Sequence, residues 1–250
     1  MSILNSYDPN PVAILNPQHL APPIYGFPEV AVATFKREIL RRALVKYDPV
    51  PMEVIHAGFH MPIYRLTYQN RELALYESLV GAAVAAGMLE ELISKGAKKV
   101  VFFGSCGVLD KTLEAGRLIV PTAACRDEGT SYHYLPPADY VEVPTAARLA
   151  NILTEMNLPF VTGKTWSTDA IYRETRSNMA KRRAEGCVAV EMECAALAAV
   201  GLFRGVEVYQ YLFAEDNLDA ENWDQRTMGR VPRSANERYL RLALEIALRV

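Results

Sequence analysis

The chain has 250 residues, 50% of them hydrophobic and 22% charged, enough to bury a sizeable core without disulfide or metal staples. Its 27 basic and 29 acidic residues leave a net charge of −2, so there is no basic surplus of the kind that binds nucleic acid. No apolar run approaches the roughly 20 residues of a membrane span, and Met1-Ser2-Ile3-Leu4-Asn5 lacks a basic stretch leading into an apolar one; a cytoplasmic protein with no membrane partner is expected.

Residues 1–28, rich in Pro and Asn, read as an extended arm lying on the surface or on a neighbouring subunit, followed by a single domain over 29–250. Val30-Ala31-Val32-Ala33-Thr34-Phe35 suits a buried strand, and the spacing of Ile39, Leu40, Ala43 and Leu44 suits a helix. Residues 52–60, 61–68 and 72–76 read as strands. The pattern over 81–93 predicts a helix ending at Lys95-Gly96, a positive last turn followed by a C-cap glycine. Val100-Val101-Phe102-Phe103 then predicts a strand closed by a glycine-rich turn, Gly104-Ser105-Cys106-Gly107.

Further along, residues 118–121 predict a strand, 126–134 a long polar loop, 145–156 a helix, 160–166 a strand and 177–185 a charged helix. A strand ending at Val190 leads to a small-residue helix over 194–200, a last strand over 206–213 and an amphipathic helix over 235–248. Alternating strands and helices with short connections predict a three-layer α/β/α fold around a central mixed sheet. Such sheets bind ligands at the carboxyl ends of their strands.

The cysteines, Cys106, Cys125, Cys187 and Cys194, have no CxxC pairing and sit beside apolar or small residues, so they read as buried free thiols. His56 and His60 would share a helix face only if Ala57-Gly58-Phe59 were helical. Gly58 and Pro62 argue against that, and no metal site is predicted.

Glu191-Met192-Glu193 lies between a predicted strand and a predicted helix. Two acids one residue apart are costly to bury unless they are hydrogen-bonded or hold a ligand. A carboxylate there accepts two hydroxyl protons and the thioether offers an adaptable apolar surface, a combination that suits a sugar. Acids at a helix start, favoured by the dipole, are the alternative.

Several segments agree in order and spacing with one family. They are Glu90-Glu91-Leu92-Ile93 with Gly96-Ala97-Lys98, Gly104-Ser105-Cys106-Gly107, Glu114-Ala115-Gly116-Arg117-Leu118-Ile119-Val120-Pro121, Ser167-Thr168-Asp169-Ala170-Ile171-Tyr172, Val190-Glu191-Met192-Glu193 and Glu215-Asp216-Asn217-Leu218. Over residues 72–218 the chain resembles the nucleoside phosphorylases of the uridine and purine phosphorylase superfamily, whose relatives include nucleosidases.

The resemblance implies that Glu193 holds the ribose hydroxyls and Met192 packs on the sugar, with Glu191 orienting the loop. It assigns Asp216 as the general acid at the base, with Glu215 competing, and places Cys106, Gly107, Ile171 and Tyr172 at the base. Ser105 and Arg37 fall at the phosphate. Breaking an N-ribosidic bond builds positive charge on the ribose, which a nearby carboxylate favours.

The chain also departs from the family pattern. Phe102 stands where phosphorylases carry an arginine, and Phe35-Lys36-Arg37 stands near the place of the Gly-Asp-Pro-x-Arg loop. Lys36, Arg65, Arg71, Arg126 and Arg173 are the other cations available to phosphate. The uracil-reading Gln-x-Arg pair is replaced by Thr175-Arg176-Ser177. The expectation is a nucleoside phosphorylase acting on a uridine or purine nucleoside, with inorganic phosphate as co-substrate and no cofactor. A nucleosidase using water and an inactive nucleoside-binding paralogue are the alternatives. A homo-oligomer, dimer or hexamer, is the expected assembly.

Overall fold

The computed structural model describes residues 2–56 and 60–250; Ala57-Gly58-Phe59, at the end of the strand predicted over 52–60, lie outside the described residues. The first apolar run forms β1 (Val30–Thr34), buried at every residue, as a parallel strand covered on both faces must be. It pairs in parallel with β4 (Arg71–Glu77) on one side and β5 (Lys99–Val108) on the other. Beyond β4, β3 (Met61–Tyr68) and β2 (Val50–Ile55) extend the sheet as antiparallel strands.

On the other side of β5 the sheet closes on itself. β10 (Glu207–Asn217) pairs in parallel with β5 and antiparallel with β6 (Leu118–Asp127). β6 pairs with β8 (Phe160–Thr168), β8 with β9 (Cys187–Glu191), and β9 returns to β5 at Gly107 and Val108. The mixed sheet therefore carries a small barrel at one end, with β7 (Tyr140–Glu142) added outside β6.

Helices cover both faces, giving the three layers. α1 (Arg37–Tyr47), α3 (Ala146–Glu155) and α6 (Arg233–Ala247) share a core with Val101, Phe103, Tyr211 and Phe213. α2 (Ala82–Lys95) and α5 (Cys194–Arg204) pack together over Ala33, Tyr76 and Phe102. α4 (Arg176–Ala184) lies against β9. No helix among the described residues is long and apolar enough to cross a membrane.

Gly104 to Gly107 form no turn. Both glycines continue β5, because β10 runs alongside with Leu212 opposite Gly104 and Asp216 opposite Gly107. β6 likewise runs on to Asp127, into the predicted polar loop. The loop that follows is pinned by buried Arg126, which donates to Ser131 Oγ at 2.8 Å and to the carbonyls of Pro136 and Leu135 at 2.7 and 3.2 Å. The arm lies on its own chain: Ser94 Oγ donates to the Ala21 carbonyl at 2.6 Å, and Arg204 to that of Pro11 at 3.1 Å.

β5 supports the strand ends through Phe103, which stacks on Tyr211 with ring centres 5.4 Å apart, both fully buried. Phe103→Ala is expected to cost about 3–5 kcal/mol, read as a lowered urea midpoint with an unchanged slope.

Candidate active site

β9 ends at Glu191, and α5 begins three residues later. The first turn of a helix has N–H groups without partners inside the helix. Buried Glu191 supplies the acceptor: Oε2 takes the N–H groups of Glu193 and Cys194, each at 2.7 Å. Its Oε1 takes the hydroxyls of Ser167 and, at 3.4 Å, Thr165, both on β8. Ser167 in turn accepts from the Ala195 N–H at 2.9 Å. Glu191 is thus a tie among β8, β9 and α5.

Glu193 is the N-cap residue of α5, yet its side chain makes no capping bond to the helix. It accepts the Gly81 N–H at 2.6 Å instead. Gly81 adopts φ +111, a conformation that favours glycine, at the start of α2. Burial and then the neighbouring charge of Glu191 lift the Glu193 carboxyl above the ordinary carboxylate range. Burial lifts Glu191 as well, but its hydroxyl and N–H donors oppose that lift. Met192, between them, is half-buried.

β5, β9 and β10 converge at Gly107, which pairs with Val190 and with Asp216. A Cβ there would come within 3.2 Å of Asp216 Oδ1 and 2.6 Å of Leu218. Asp216 is half-buried and accepts the indole N–H of Trp223 on Oδ2 at 2.8 Å. Glu174, also half-buried, sits close enough that burial, with the Asp216 charge second, pushes its carboxyl up to about 7. Cys106 packs among Val108, Ile119, Ala189, Leu212 and Ala214. Burial raises its thiol strongly, and the charges of Glu191, Asp216 and Glu215 add to this, so Cys106 lies beneath the convergence.

The predicted phosphate residues are placed differently. Ser105 is half-buried on β5 opposite Phe213. Arg37, at the first turn of α1 and 62% exposed, faces Glu77 at 3.3 Å, and no bond joins it to Ser105. Lys36 instead pairs with buried Glu215. A Cβ on Gly104 would come within 2.9 Å of the Phe35 ring, which stacks on Phe102 with centres 5.9 Å apart. Arg65 pairs with Glu72, Arg71 donates to the Leu248 carbonyl at 3.0 Å, and Arg126 holds its own loop. Exposed Ile171 and Tyr172 stand on the surface with Arg173, in a short 3₁₀ turn before Glu174. Among the described residues no group of three or more His, Cys, Asp or Glu is placed to hold a metal ion.

Sequence reasoning missed Glu174, Gly81 and Trp223 as site residues. A glycine ahead of a helix of small residues was a signal for Gly81. Nothing local marks Glu174 or Trp223, whose settings arise from distant segments.

An α/β fold whose strand ends gather several carboxyls around one convergence defines a class of site suited to a ligand that becomes positively charged. The chain belongs to the phosphorylase superfamily, whose family pattern matches residues 25–247. A guanosine phosphorylase of Halorubrum lacusprofundi is 27% identical over 173 residues, covering 68% of this chain and 71% of that protein. Two solved structures share the fold. An AMP nucleosidase from Bacteroides thetaiotaomicron has a TM-score of 0.70 and 21% identity, covering 89% of this chain and 88% of its own. A purine nucleoside phosphorylase from Toxoplasma gondii has a TM-score of 0.72 and 19% identity, covering 88% and 90%.

The two acids of the triplet separate experimentally. Glu191→Ala strands several buried donors, each costing about 1–3 kcal/mol, and a loss of at least about 3 kcal/mol is expected in urea unfolding. Glu193→Ala frees the Gly81 N–H, which is only part-buried and so open to water, and removes a carboxyl that burial and the Glu191 charge penalise; a cost of about 1 kcal/mol or less is expected.

Glu174 gives a pH signature. Its folded value of about 7 lies above the ordinary 4.5, so the folded state binds the extra proton and loses stability as pH rises between those values. Glu174→Gln removes that loss. The variant is expected to match the parent near pH 4.5 and to melt at a higher temperature at pH 8; equal melting temperatures at pH 8 would contradict the assignment.

Proposed function

We propose that the protein cleaves the N-ribosidic bond of a purine nucleoside with water as the acceptor. The observation that carries this reading is the filling of the phosphate end. The Phe35 ring covers the Gly104 backbone, where a glycine would let an anion approach, and the ammonium of Lys36 is already neutralised by Glu215. A phosphate dianion needs several donors and net positive charge, whereas Lys36 and Arg37 already face the carboxylates of Glu215 and Glu77.

In this reading Glu193 takes the ribose hydroxyls and Met192 packs on the sugar. The carboxyl cluster favours the positive charge that grows on the ribose as the bond to the base breaks. Asp216 and Glu174 work as a pair at the base. Unequal environments push two carboxyls apart, one charged and one holding a proton near neutrality. Burial, with the Asp216 charge second, pushes Glu174 up to about 7, so Glu174 carries that proton. Protonating the leaving base is worth about 10²- to 10⁴-fold in rate. The space beside Gly107 is taken by Leu218, Val190 and Asp216, so in this reading the base lies against Asp216 and Trp223, with Cys106 buried beneath and Ile171 and Tyr172 exposed in the 3₁₀ turn before Glu174. The purine preference rests on the carboxyl pair and on the likeness to guanosine phosphorylase.

Phosphorolysis is the second reading. It is favoured by that same likeness and by Arg37, largely exposed at the start of α1, where an anion is favourable. A homo-oligomer, dimer or hexamer, accompanies either reading, since the arm leaves Val12, Ile14, Leu15 and Tyr25 exposed for a second copy to cover. The four buried free cysteines suit the reducing cytoplasm.

Incubating the protein with inosine, guanosine, adenosine and uridine, with and without phosphate, tests the proposal by chromatography of the released base. Purine release at equal rates in both conditions is expected. Release that requires phosphate would establish the second reading, and nucleoside binding without release would identify an inactive paralogue.

A further inference from the structure

β10 contains a bulge: Ala214 pairs with Cys106 and Asp216 with Gly107, leaving Glu215 without a partner in the ladder. Bulges of this kind re-aim a side chain and are common beside active sites. Here the consequence is that two consecutive acids serve one region. Asp216 is brought into line with Gly107, and the Glu215 carboxylate, 4% exposed, meets Lys36 from the residue before α1.

The ammonium of Lys36 also lies 5.2 Å from the centre of the Phe213 ring, and Phe213 stands opposite Ser105. The pair therefore occupies the region between the end of β1, Ser105 and Asp216. A buried ion pair is a weak source of stability, because desolvation offsets most of the attraction. Its geometry has a chemical use. Lys36 engages Oε1, while Oε2 has no hydrogen-bond partner among the described residues. A carboxylate with one oxygen fixed by a cation and the other free is arranged to accept a proton from water.

We infer that Glu215, positioned by Lys36, is the general base that activates the attacking water. The inference rests on the hydrolytic reading above and names the groups that replace phosphate in it. The water oxygen bonds to ribose C1′ as the bond from C1′ to the base nitrogen breaks, and that electron pair leaves with the base. One water proton passes to Glu215 Oε2, and the proton held by Glu174 passes to the base. Glu215 then returns its proton to solvent and Glu174 regains one. The sum is one water consumed, with free ribose and free base released. Glu215 is the catalytic residue, and Lys36 positions it.

The test uses the full chain, with inosine as substrate. Glu215→Gln is expected to lower kcat for phosphate-independent release by about 100-fold or more, with the dissociation constant for inosine changed by no more than about threefold. Glu215→Ala is expected to recover hydrolysis with added formate, which supplies the missing carboxylate; a purely structural role gives no such rescue. Lys36→Arg should retain more kcat than Lys36→Met. Should the single variants not fold, Lys36→Gln combined with Glu215→Gln removes both charges at nearly constant volume and is expected to show the same kcat loss. Phosphate-independent release that survives Glu215→Gln or the double variant would overturn the inference while leaving the hydrolytic reading intact. Wild-type release that strictly requires phosphate would remove the hydrolytic reading itself, and the inference with it.

Discussion

The buried carboxylate of Glu191 fixes the geometry on which the rest of the site depends. One side chain gathers two N–H groups from the start of α5 and two hydroxyls from β8. A charge placed there is favourable because the helix end is positive and its N–H groups would otherwise be stranded. The effect is to lock α5 against the closed part of the sheet. Met192 and Glu193 then have one available course between β9 and the helix, which brings the Glu193 carboxyl onto the N–H at the start of α2.

A second constraint is electrostatic. Glu174, the pair Glu191 and Glu193, and the pair Glu215 and Asp216 come from three separate segments, and among the described residues only Glu215 of the five is joined to a cation by an ion pair. Crowded carboxyls in a partly dry site cannot all be charged at neutral pH, so some carry protons. This arrangement is poor for an incoming phosphate and good for a ligand that turns cationic. The aromatic pair Phe35 and Phe102 acts in the same direction, since apolar rings offer an anion no donors.

Much of the fold was legible in the sequence because it follows from periodicity and capping. The apolar runs of β1 and β5 and the Lys95-Gly96 stop of α2 are local signals, and the structure has strands and a helix end where they fall. Gly104 to Gly107 were misread for a physical reason. Glycines mark turns when nothing else holds the backbone, but here β10 pairs along the segment, while Phe35 and Leu218 occupy the space beside the glycines. Similarly, the last strand was predicted to stop at Phe213, short of Glu215 and Asp216, because acids are rare in buried strands, and the ladder nevertheless continues through this stretch by means of a bulge. Within the site, the triplet was legible as a place from its residues, but Glu191 as the loop's anchor and Glu193 as the ribose acid came from the resemblance alone, because half of the donors around Glu191 lie on distant β8. Glu174 was invisible, since its elevated carboxyl arises from burial and from Asp216, 42 positions away in the chain.

The contrast between Glu191 and Glu193 also bears on how a sugar would be held in the proposed reaction. Glu191 has its donors built into the protein, so its charge is compensated before any ligand arrives. Glu193 has the Gly81 N–H as its backbone partner across the site and stands against the charge of Glu191, which together with burial favours its protonated form. Ribose hydroxyls are the kind of donor that Glu193 lacks. Each hydroxyl that donates to it stabilises the carboxylate, so binding the sugar and ionising Glu193 favour one another. The negative charge is thereby strengthened when the ribose is in place, where positive charge will develop as the bond to the base breaks.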